Sequence, residues 1–153
     1  MGKSNLWILD VWGEGRIVTR EGMVTGFSEA LNVNKYDQKI SNGPNAGKDI
    51  PNLSPVYEYA NPKFEIESGA FEYITLMGAP ITTGTASEMC RVFTNLPNSG
   101  AIYLYDPDPT SFLNFRNEAV NHNVIYAGRL SVVSLEPPFN EITLQAVECF
   151  VRE

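Results

Sequence analysis

The residues that could act as nucleophiles or metal ligands are few in this sequence and lie far apart along it. Its 153 residues include one histidine, His122, and two cysteines, Cys90 and Cys149. A typical zinc site needs several clustered ligands, and no second histidine is available to join His122. Neither Met89-Cys90-Arg91 nor Glu148-Cys149-Phe150 offers the activating surroundings that a Cys-His nucleophile pair requires. We therefore predict no catalytic residue, metal or cofactor, and two buried, reduced thiols.

Two polar segments are similar to known ligand loops without matching them. Gly43 to Asp49 reads GPNAGKD, in which the glycine spacing is one residue short of a phosphate loop and Asp49 replaces the metal-binding Ser or Thr. Asp106-Pro107-Asp108 presents two carboxylates, but it lacks the alternating ligands of a calcium loop. The first segment is predicted to be a flexible turn and the second a rigid polar turn, with a calcium site as the alternative for the second.

Aromatic residues recur on segments that read as strands, where they usually pack in the core or across strands. A platform for stacking sugar rings is the alternative for this set, which comprises Trp7, Trp12, Tyr57, Tyr59, Tyr103, Tyr105 and Tyr126.

The composition is that of one ordinary globular domain, 1–153, with 43% hydrophobic and 19% charged residues. The formal net charge of −7 argues against a nucleic-acid-binding surface, which draws its affinity from clustered Lys and Arg. The apolar stretches are too short to cross a membrane. The N-terminal segment lacks a signal-peptide core, so we expect synthesis in the cytoplasm.

Strand and turn patterns dominate the chain. Glycine-rich turns and β-branched runs predict a hairpin at 6–19, a strand or a single helical turn within 23–33, and a closing hairpin. Short helices are predicted at 69–77 and 110–117. The strands predicted after the opening hairpin are Lys63 to Glu67, Glu88 to Phe93, Ala101 to Tyr105, Asn123 to Leu135 and Glu141 to Val151. Together these segments predict a mainly β fold, an antiparallel β-barrel or sandwich with one or two short helices.

Two segments are candidates for contacts with other molecules. The long polar loop from Asn34 to Pro55 exceeds the usual length of a loop inside a compact domain, which favours a function or ordering on a partner. In Lys63 to Glu67 the side chains alternate, which predicts that Phe64 and Ile66 face the core. The exposed face of that strand would then carry Lys63, Glu65 and Glu67.

The middle of the chain resembles the tail tube proteins of tailed bacteriophages. The resemblance is carried by the long loop, by 57–62 and Lys63 to Glu67, and by 68–78, where the family has a strand leading into a short helix and a glycine turn. The closing segments 127–132 and 142–147 resemble the family's last two strands. The resemblance implies a non-enzymatic virion subunit that forms six-fold rings, with other tail proteins as partners, and the rings stack into a conduit through which DNA passes.

The same resemblance implies roles for the two candidate segments. The lumen face would be Lys63, Glu65 and Glu67, and an acidic lumen would keep passing phosphates from binding. The loop would contact the neighbouring subunit through Asn34, Lys35, Tyr36, Asp37, Gly43, Asn45, Gly47, Lys48 and Asp49. Two alternatives remain open at this point: another tail, baseplate or capsid-decorating protein, and a monomeric β-sandwich that binds a sugar or another small ligand.

Overall fold

A computed structural model describes residues 6–15, 27, 30–41, 45–142 and 144–153 of the protein. The described part forms one seven-stranded sheet in the order β3-β2-β1-β4-β5-β7-β6. Two α-helices and one short 3₁₀ helix, Val132–Ser134, connect its strands along the chain. The elements, in chain order, are β1 (Ile8–Val11), β2 (Ala30–Lys35), β3 (Leu53–Val56), β4 (Tyr73–Met77), α1 (Thr83–Val92), β5 (Ala101–Tyr105), α2 (Pro109–Val120), β6 (Val124–Ser131) and β7 (Ala146–Arg152).

The sheet is mostly parallel. β1 pairs in parallel with β2 and with β4, and parallel pairing continues outward to β3 and to β5. β7 is antiparallel to both of its neighbours, β5 and β6. Of the seven described strands, β7 alone therefore runs against the others.

Both helices pack on one face of the sheet. Met89 and Cys90 of α1 and Phe115 and Ala119 of α2 are buried against strand residues of this face, such as Leu9. The Thr82 hydroxyl accepts a hydrogen bond from the backbone N–H of Thr85 and so caps α1, and Asp108 caps α2 in the same way. We call this side the helix face.

The opposite face is covered differently. Among the described residues, its cover comes from Phe27 and from the connection between β6 and β7, which buries Val132, Leu135, Phe139 and Ile142. The strands contribute Ile8, Ala30, Tyr105 and Val147 to this second core. We call this side the loop face.

The predicted antiparallel β-barrel or sandwich is wrong. A parallel sheet with both faces covered buries every residue of its central strands, so the alternation that marks a half-exposed strand is absent. All four residues of β1 are buried, and the three central residues of β4 are buried as well. The opening hairpin is wrong for a related reason: both edges of β1 are paired with β2 and β4, while 16–19 lie outside the described residues.

The segment from Lys63 to Glu67 is not a strand and bends at Ile66. Phe64 is buried and Lys63, Glu65 and Glu67 are exposed, as the alternation predicts. Its backbone partners are side chains of α1 rather than another strand. Arg91 donates to the carbonyl oxygens of Phe64 and Ile66, at 2.9 Å each.

The remaining predictions of individual helices and strands are partly wrong and partly confirmed. The helix predicted at 69–77 is wrong, since it contains β4, and the strand predicted from Glu88 is wrong, since it lies in α1. The strand Ala101 to Tyr105, the short helix after it and the closing antiparallel hairpin are confirmed as β5, α2 and the pair β6 and β7. No helix within the described residues combines the length and apolarity needed to cross a bilayer.

Candidate functional site

The order of the strands creates a crevice at one edge of the sheet. From β1 the chain moves to β2 and β3 on one side, and then crosses to β4 on the other side of β1. In open α/β sheets, ligands bind outside the carboxyl ends of the strands where the order reverses in this way. That point lies here between the residues that follow β1, Trp12 to Gly15, and those that follow β4, Gly78 to Thr82.

The turn after β1 is built around Gly13. A Cβ atom at this position would lie 2.3 Å from Asp10 Oδ2 and 2.5 Å from Asn32 Oδ1, so only glycine fits. Two hydrogen bonds fasten the turn to β2: Trp12 N donates to Val33 O at 2.7 Å, and Asn34 Nδ2 donates to Gly13 O at 3.0 Å. The turn is therefore held close against the ends of β1 and β2.

A buried row of polar side chains lies beneath this turn on the loop face. Asn32, Asp10 and Thr75 occupy matching positions on β2, β1 and β4. The Thr75 hydroxyl donates to Asp10 Oδ1 at 2.9 Å. Within the described residues, Asp10 Oδ2 and Asn32 Oδ1 are buried acceptors without a hydrogen-bond donor. Both oxygens lie within 2.5 Å of the point that a Cβ atom of Gly13 would occupy, and a proton on Asp10 would give this pair of acceptors a donor.

The electrostatics of the row agree with such a proton. Burial raises the pKa of Asp10 to about 7, although the Thr75 hydrogen bond opposes the shift. A neutral Asp10 is thus populated near neutral pH, and its hydroxyl supplies a donor where two acceptors otherwise meet. Asn32 Nδ2 already donates to Pro51 O at 2.8 Å, which leaves Asn32 Oδ1 as the available acceptor.

Aromatic rings lie above the carboxyl ends of the strands. Trp12 stacks on Tyr59 with ring centroids 4.5 Å apart, and the Tyr59 hydroxyl donates to Pro80 O at 3.0 Å. The Tyr59 ring therefore lies between the segments that follow β1 and β4. Beside it, Tyr36 and Tyr57 stack at 5.2 Å and are 59% and 74% exposed. These rings form a wall along the crevice.

The residues of the predicted interface loop lie on several elements. Asn34 and Lys35 belong to β2, where Asn34 is buried, and the exposed Tyr36 and Asp37 follow that strand. Asn45, Gly47, Lys48 and Asp49 are exposed, and Lys39 forms an ion pair with Asp49. Gly43 lies outside the described residues. A contact between this loop and another subunit stays a prediction.

Two of the three predicted lumen residues, Lys63 and Glu65, line surface cavities. Lys63 borders one that also includes Asn61, Ser87 and Arg91, and Lys63 and Glu65 border another beside Tyr57. Glu67 is exposed near the end of the same segment. A shared function of Lys63, Glu65 and Glu67 stays a prediction, but the ring-forming tube that motivated it is corrected below.

The histidine and cysteines do not form a nucleophilic site. One atom of His122, Nε2, lies 2.9 Å from Glu118 Oε2 and 3.4 Å from Ser87 Oγ. A serine triad instead uses the two ring nitrogens separately, one for the acid and one for the nucleophile. Burial raises the pKa of Cys90 to about 12 and that of Cys149 to about 11, so both thiols stay protonated at neutral pH.

The two carboxylates of the Asp106-Pro107-Asp108 turn have structural partners. Asp106 accepts hydrogen bonds from the N–H groups of Gln145 and Ala146, at 3.1 Å each. Asp108 accepts from Ser111 N at 2.8 Å at the start of α2. These bonds favour the rigid polar turn over a calcium loop, and no cluster of three potential metal ligands occurs among the described residues.

Sequence reasoning missed the turn at Trp12 to Gly15 as a candidate site, because it read the two glycines as a hairpin turn. One feature of the sequence could have indicated this turn as a candidate site. A single carboxylate, Asp10, interrupts the apolar run Ile8-Leu9-Asp10-Val11, immediately before Gly13 and Gly15. A buried strand that carries one acid and ends in a glycine-rich turn is typical of a ligand-binding edge. The partners Asn32 and Thr75 carried no comparable local signal.

No family model and no curated protein matches the chain. Its structure is similar to that of a TehB-like SAM-dependent methyltransferase from Corynebacterium glutamicum, with a TM-score of 0.57 and 15% identity over 97% of this chain and 80% of that one. It is also similar to a geranyl diphosphate C-methyltransferase from Streptomyces coelicolor solved with Mg²⁺, geranyl diphosphate and S-adenosyl-L-homocysteine. That match has a TM-score of 0.52 and 9% identity over 96% of this chain and 70% of that one.

A third similar structure comes from a complex between the Haloferax volcanii Trm112 methyltransferase activator and a methyltransferase. The TM-score is 0.54, with 13% identity over 97% of this chain and 82% of that one. All three likenesses extend over nearly the whole chain, so the complete seven-stranded sheet takes part in them. At these identities the likeness concerns the fold.

These structures correct the predictions that followed from the tail tube resemblance. The resemblance is wrong, and so are the virion structural role, the virion location and the ring-forming homo-oligomer with tail proteins as partners. The prediction that the chain is not an enzyme is contradicted by the same structures, which are enzymes. The baseplate and sugar-binding alternatives gain no support either. The physical reason lies in the segments that carried the resemblance. The segment predicted as a short helix, 69–77, contains strand β4, and the closing hairpin is the antiparallel edge of the same, mostly parallel sheet.

Proposed function

We propose that this protein is a methyltransferase that binds S-adenosylmethionine at the carboxyl ends of β1, β2 and β4. The observation that carries the proposal is the strand order, with its reversal between β1 and β4 and its single antiparallel β7. The three similar structures are methyltransferases whose likeness covers the whole sheet. A glycine-rich turn and an aromatic wall stand where this architecture places its ligand.

The residues at this edge suit such a ligand. Gly13 and Gly15 let the turn pack closely against Asp10, Asn32 and Pro51, which holds its backbone at the ends of β1 and β2. The ring faces of Tyr59 and Trp12 suit an adenine ring or a sulfonium cation. Lys35 Nζ lies 5.5 Å from the centre of the Tyr59 ring, which shows that this ring accepts a cation. Ribose hydroxyls need acceptors, and the exposed carboxylates Asp37 and Glu58 follow β2 and β3 on the same edge.

The chain's own residues would position and shield the ligand. S-adenosylmethionine supplies an electrophilic methyl group on a sulfonium sulfur. The rings of Trp12 and Tyr59 would shield a bound ligand from water, and their faces favour a positive charge there. Because the Tyr59 hydroxyl bonds to Pro80 O, the ring now lies across the crevice. We expect the ligand to displace this ring or to stack on it.

The two tryptophans of the chain, Trp7 and Trp12, allow the proposal to be tested without an identified acceptor. In a Trp7→Phe variant Trp12 is the only tryptophan, and it stands in the candidate site. Titration with S-adenosylhomocysteine should change its fluorescence to saturation. The Trp12→Phe variant, which reports from Trp7 at the other end of β1, should show little change under the same conditions.

Equilibrium dialysis of the unmodified protein provides a readout that is independent of fluorescence. We expect S-adenosylmethionine and S-adenosylhomocysteine to be retained, and adenosine to be retained more weakly because it lacks the amino-acid part. Transfer of a labelled methyl group to candidate acceptors then tests the reaction itself. Failure of both compounds to bind the folded protein would overturn the proposal.

A further inference from the structure

A second cavity lies at the other end of the sheet. It has a volume of about 300 Å³ and is lined by Trp7, Tyr73, Tyr103, Phe139 and Glu136, among other residues. Trp7 immediately precedes β1 and Tyr73 begins β4, so the cavity lies near the amino ends of these strands. The candidate methyl-donor site lies at their carboxyl ends. The two sites are therefore separate.

The rings around this cavity meet at two kinds of angle. Tyr73 is tilted by 35° from Tyr103 and by 32° from Phe139, whereas the other pairs are steep. Trp7 is nearly perpendicular to both Tyr73 and Phe139, with interplanar angles of 86° and 80°. Tyr103 meets Phe139 at 67°, with centroids 5.1 Å apart. Rings arranged in this way present faces and edges to a small ligand from several directions, as in the aromatic cages that bind quaternary ammonium groups.

The base of the cavity is held in place by the second core. Phe139 is 4% exposed, and its carbonyl oxygen accepts a hydrogen bond from the buried Tyr105 hydroxyl at 2.9 Å. Phe27 packs against the same ring with centroids 5.7 Å apart. The aromatic walls therefore need little rearrangement before a ligand enters. Trp7, in contrast, is 41% exposed and stands at the mouth.

The charge around the cavity is negative. Among the described residues that line it, Glu136 alone has a charged side chain. Burial raises the pKa of Tyr103 to about 12, and neighbouring Cys149, Tyr73 and Glu136 all act in the same direction. Burial disfavours any charge, so the carboxylate of Glu136 is the group in this lining that favours a cation. Aromatic faces and a single carboxylate together select for a positive charge that is weakly hydrated.

We propose that the cavity lined by Trp7, Tyr73, Tyr103, Phe139 and Glu136 binds a small organic cation of the quaternary or alkylated ammonium class. The rings supply cation–π contacts and a surface for methyl groups, and Glu136 supplies the counter-charge at the rim. The site does not depend on the proposed methyl-donor site.

The test uses the Trp12→Phe variant, in which Trp7 is the sole tryptophan. Choline should change the Trp7 fluorescence to saturation. Its uncharged isostere 3,3-dimethylbutan-1-ol should bind at least about ten-fold more weakly, because it keeps the shape and loses the cation–π energy. Sodium chloride at the same ionic strength should give no saturable change. An equal response to the isostere, or no saturable response to choline, would overturn the proposal.

Two substitutions locate the binding. Glu136→Gln should weaken choline binding about two- to five-fold, the range expected for one exposed charge. Glu141→Gln removes an exposed carboxylate of the same connection that does not line the cavity and should leave the affinity unchanged. Tyr73→Leu should abolish saturation, with thermal unfolding as the check on its fold. If Glu136→Gln and Glu141→Gln behave alike, the cation does not occupy this cavity.

Discussion

The two faces of the sheet are built on different principles. The helix face is closed by regular elements, and its core contains apolar side chains from both helices and all seven described strands. The loop face is closed, among the described residues, by Phe27 and an irregular connection, and it carries the polar row of Asn32, Asp10 and Thr75 in its centre. Buried polar groups cost free energy unless they are fully paired, whereas apolar packing does not carry this cost. The helix face thus supplies stability, and the loop face carries the groups that are suited to chemistry.

The largest effect that we expect is the loss of stability when a buried ring is removed from the helix face. Phe115 is fully buried, and its ring centroid lies 4.7 Å from that of Phe150. Phe115→Ala should lower the free energy of unfolding by about 3–5 kcal/mol, because it removes a buried ring and leaves a cavity. Urea denaturation measures this loss.

Val133→Ala on the loop side is the matched control. Val133 is 83% exposed, so its truncation should change the free energy of unfolding by less than about 0.5 kcal/mol. If Phe115→Ala costs as little as Val133→Ala, the helix face does not supply the stability of the domain.

The antiparallel end of the sheet was predictable from sequence, and the parallel end was not. β6 and β7 are neighbours both in sequence and in space, so their β-branched runs and the turn between them predict their pairing directly. In contrast, β1 pairs with β2 and β4, which come from distant parts of the chain. Nothing local in Ile8–Val11 identifies those partners. The parallel order follows only from the way the whole chain packs.

The candidate site could not be predicted from the sequence for the same reason. Asp10, Asn32 and Thr75 are brought together by the register of three strands, and each alone reads as an isolated polar residue. The prediction for the segment Lys63 to Glu67 is wrong in a different way. The alternation correctly predicts that Phe64 is buried, but it does not predict that the segment lacks a partner strand. Side chains of α1 satisfy its backbone instead. Local periodicity reports burial, and it does not report which groups complete the hydrogen bonds.

An intermediate loss of stability is expected when the hydrogen bonds between α1 and the segment Lys63 to Glu67 are removed. Arg91 donates to Phe64 O and Ile66 O and pairs with Glu88, whose carboxylate accepts from Phe64 N at 2.8 Å. Arg91→Met keeps the apolar stem and removes the donors. The loss should be about 2 kcal/mol, the range for hydrogen bonds to a charged group. Urea denaturation measures the loss, and faster hydrogen exchange at the Phe64 amide localises it.

Arg129→Met is the control for this substitution. Arg129 is 67% exposed and approaches Glu148 only to 3.8 Å, so its loss should cost no more than about 0.5 kcal/mol. If Arg91→Met and Arg129→Met lower the free energy of unfolding equally, the hydrogen bonds from Arg91 do not stabilise the segment Lys63 to Glu67.

A further expected effect is a pH dependence that belongs to the loop face alone. Burial raises the pKa of Asp10 from its ordinary value of 3.8 to about 7. Between these pH values the unfolded chain has released the proton while the folded protein retains it. The folded state therefore binds more protons, and the free energy of unfolding falls as the pH rises through this window. One group contributes at most about 1.4 kcal/mol per pH unit. Below pH 3.8 and above pH 7 its contribution is constant.

Asp10→Asn isolates this contribution. The amide oxygen can still accept from Thr75, and the amide nitrogen can donate towards Asn32 Oδ1, as a protonated Asp10 would. The variant should therefore match the original protein near pH 4 and exceed it in stability near pH 8. Subtracting the two pH profiles cancels every other titrating group. Asp108→Asn removes the charge of the exposed helix cap on α2 but keeps a capping side chain, and it should leave the fall with pH in place. A difference between the Asp10→Asn and original profiles that stays constant from pH 4 to pH 8 would show that Asp10 keeps an ordinary pKa. The polar row would then be paired by groups other than a shared proton.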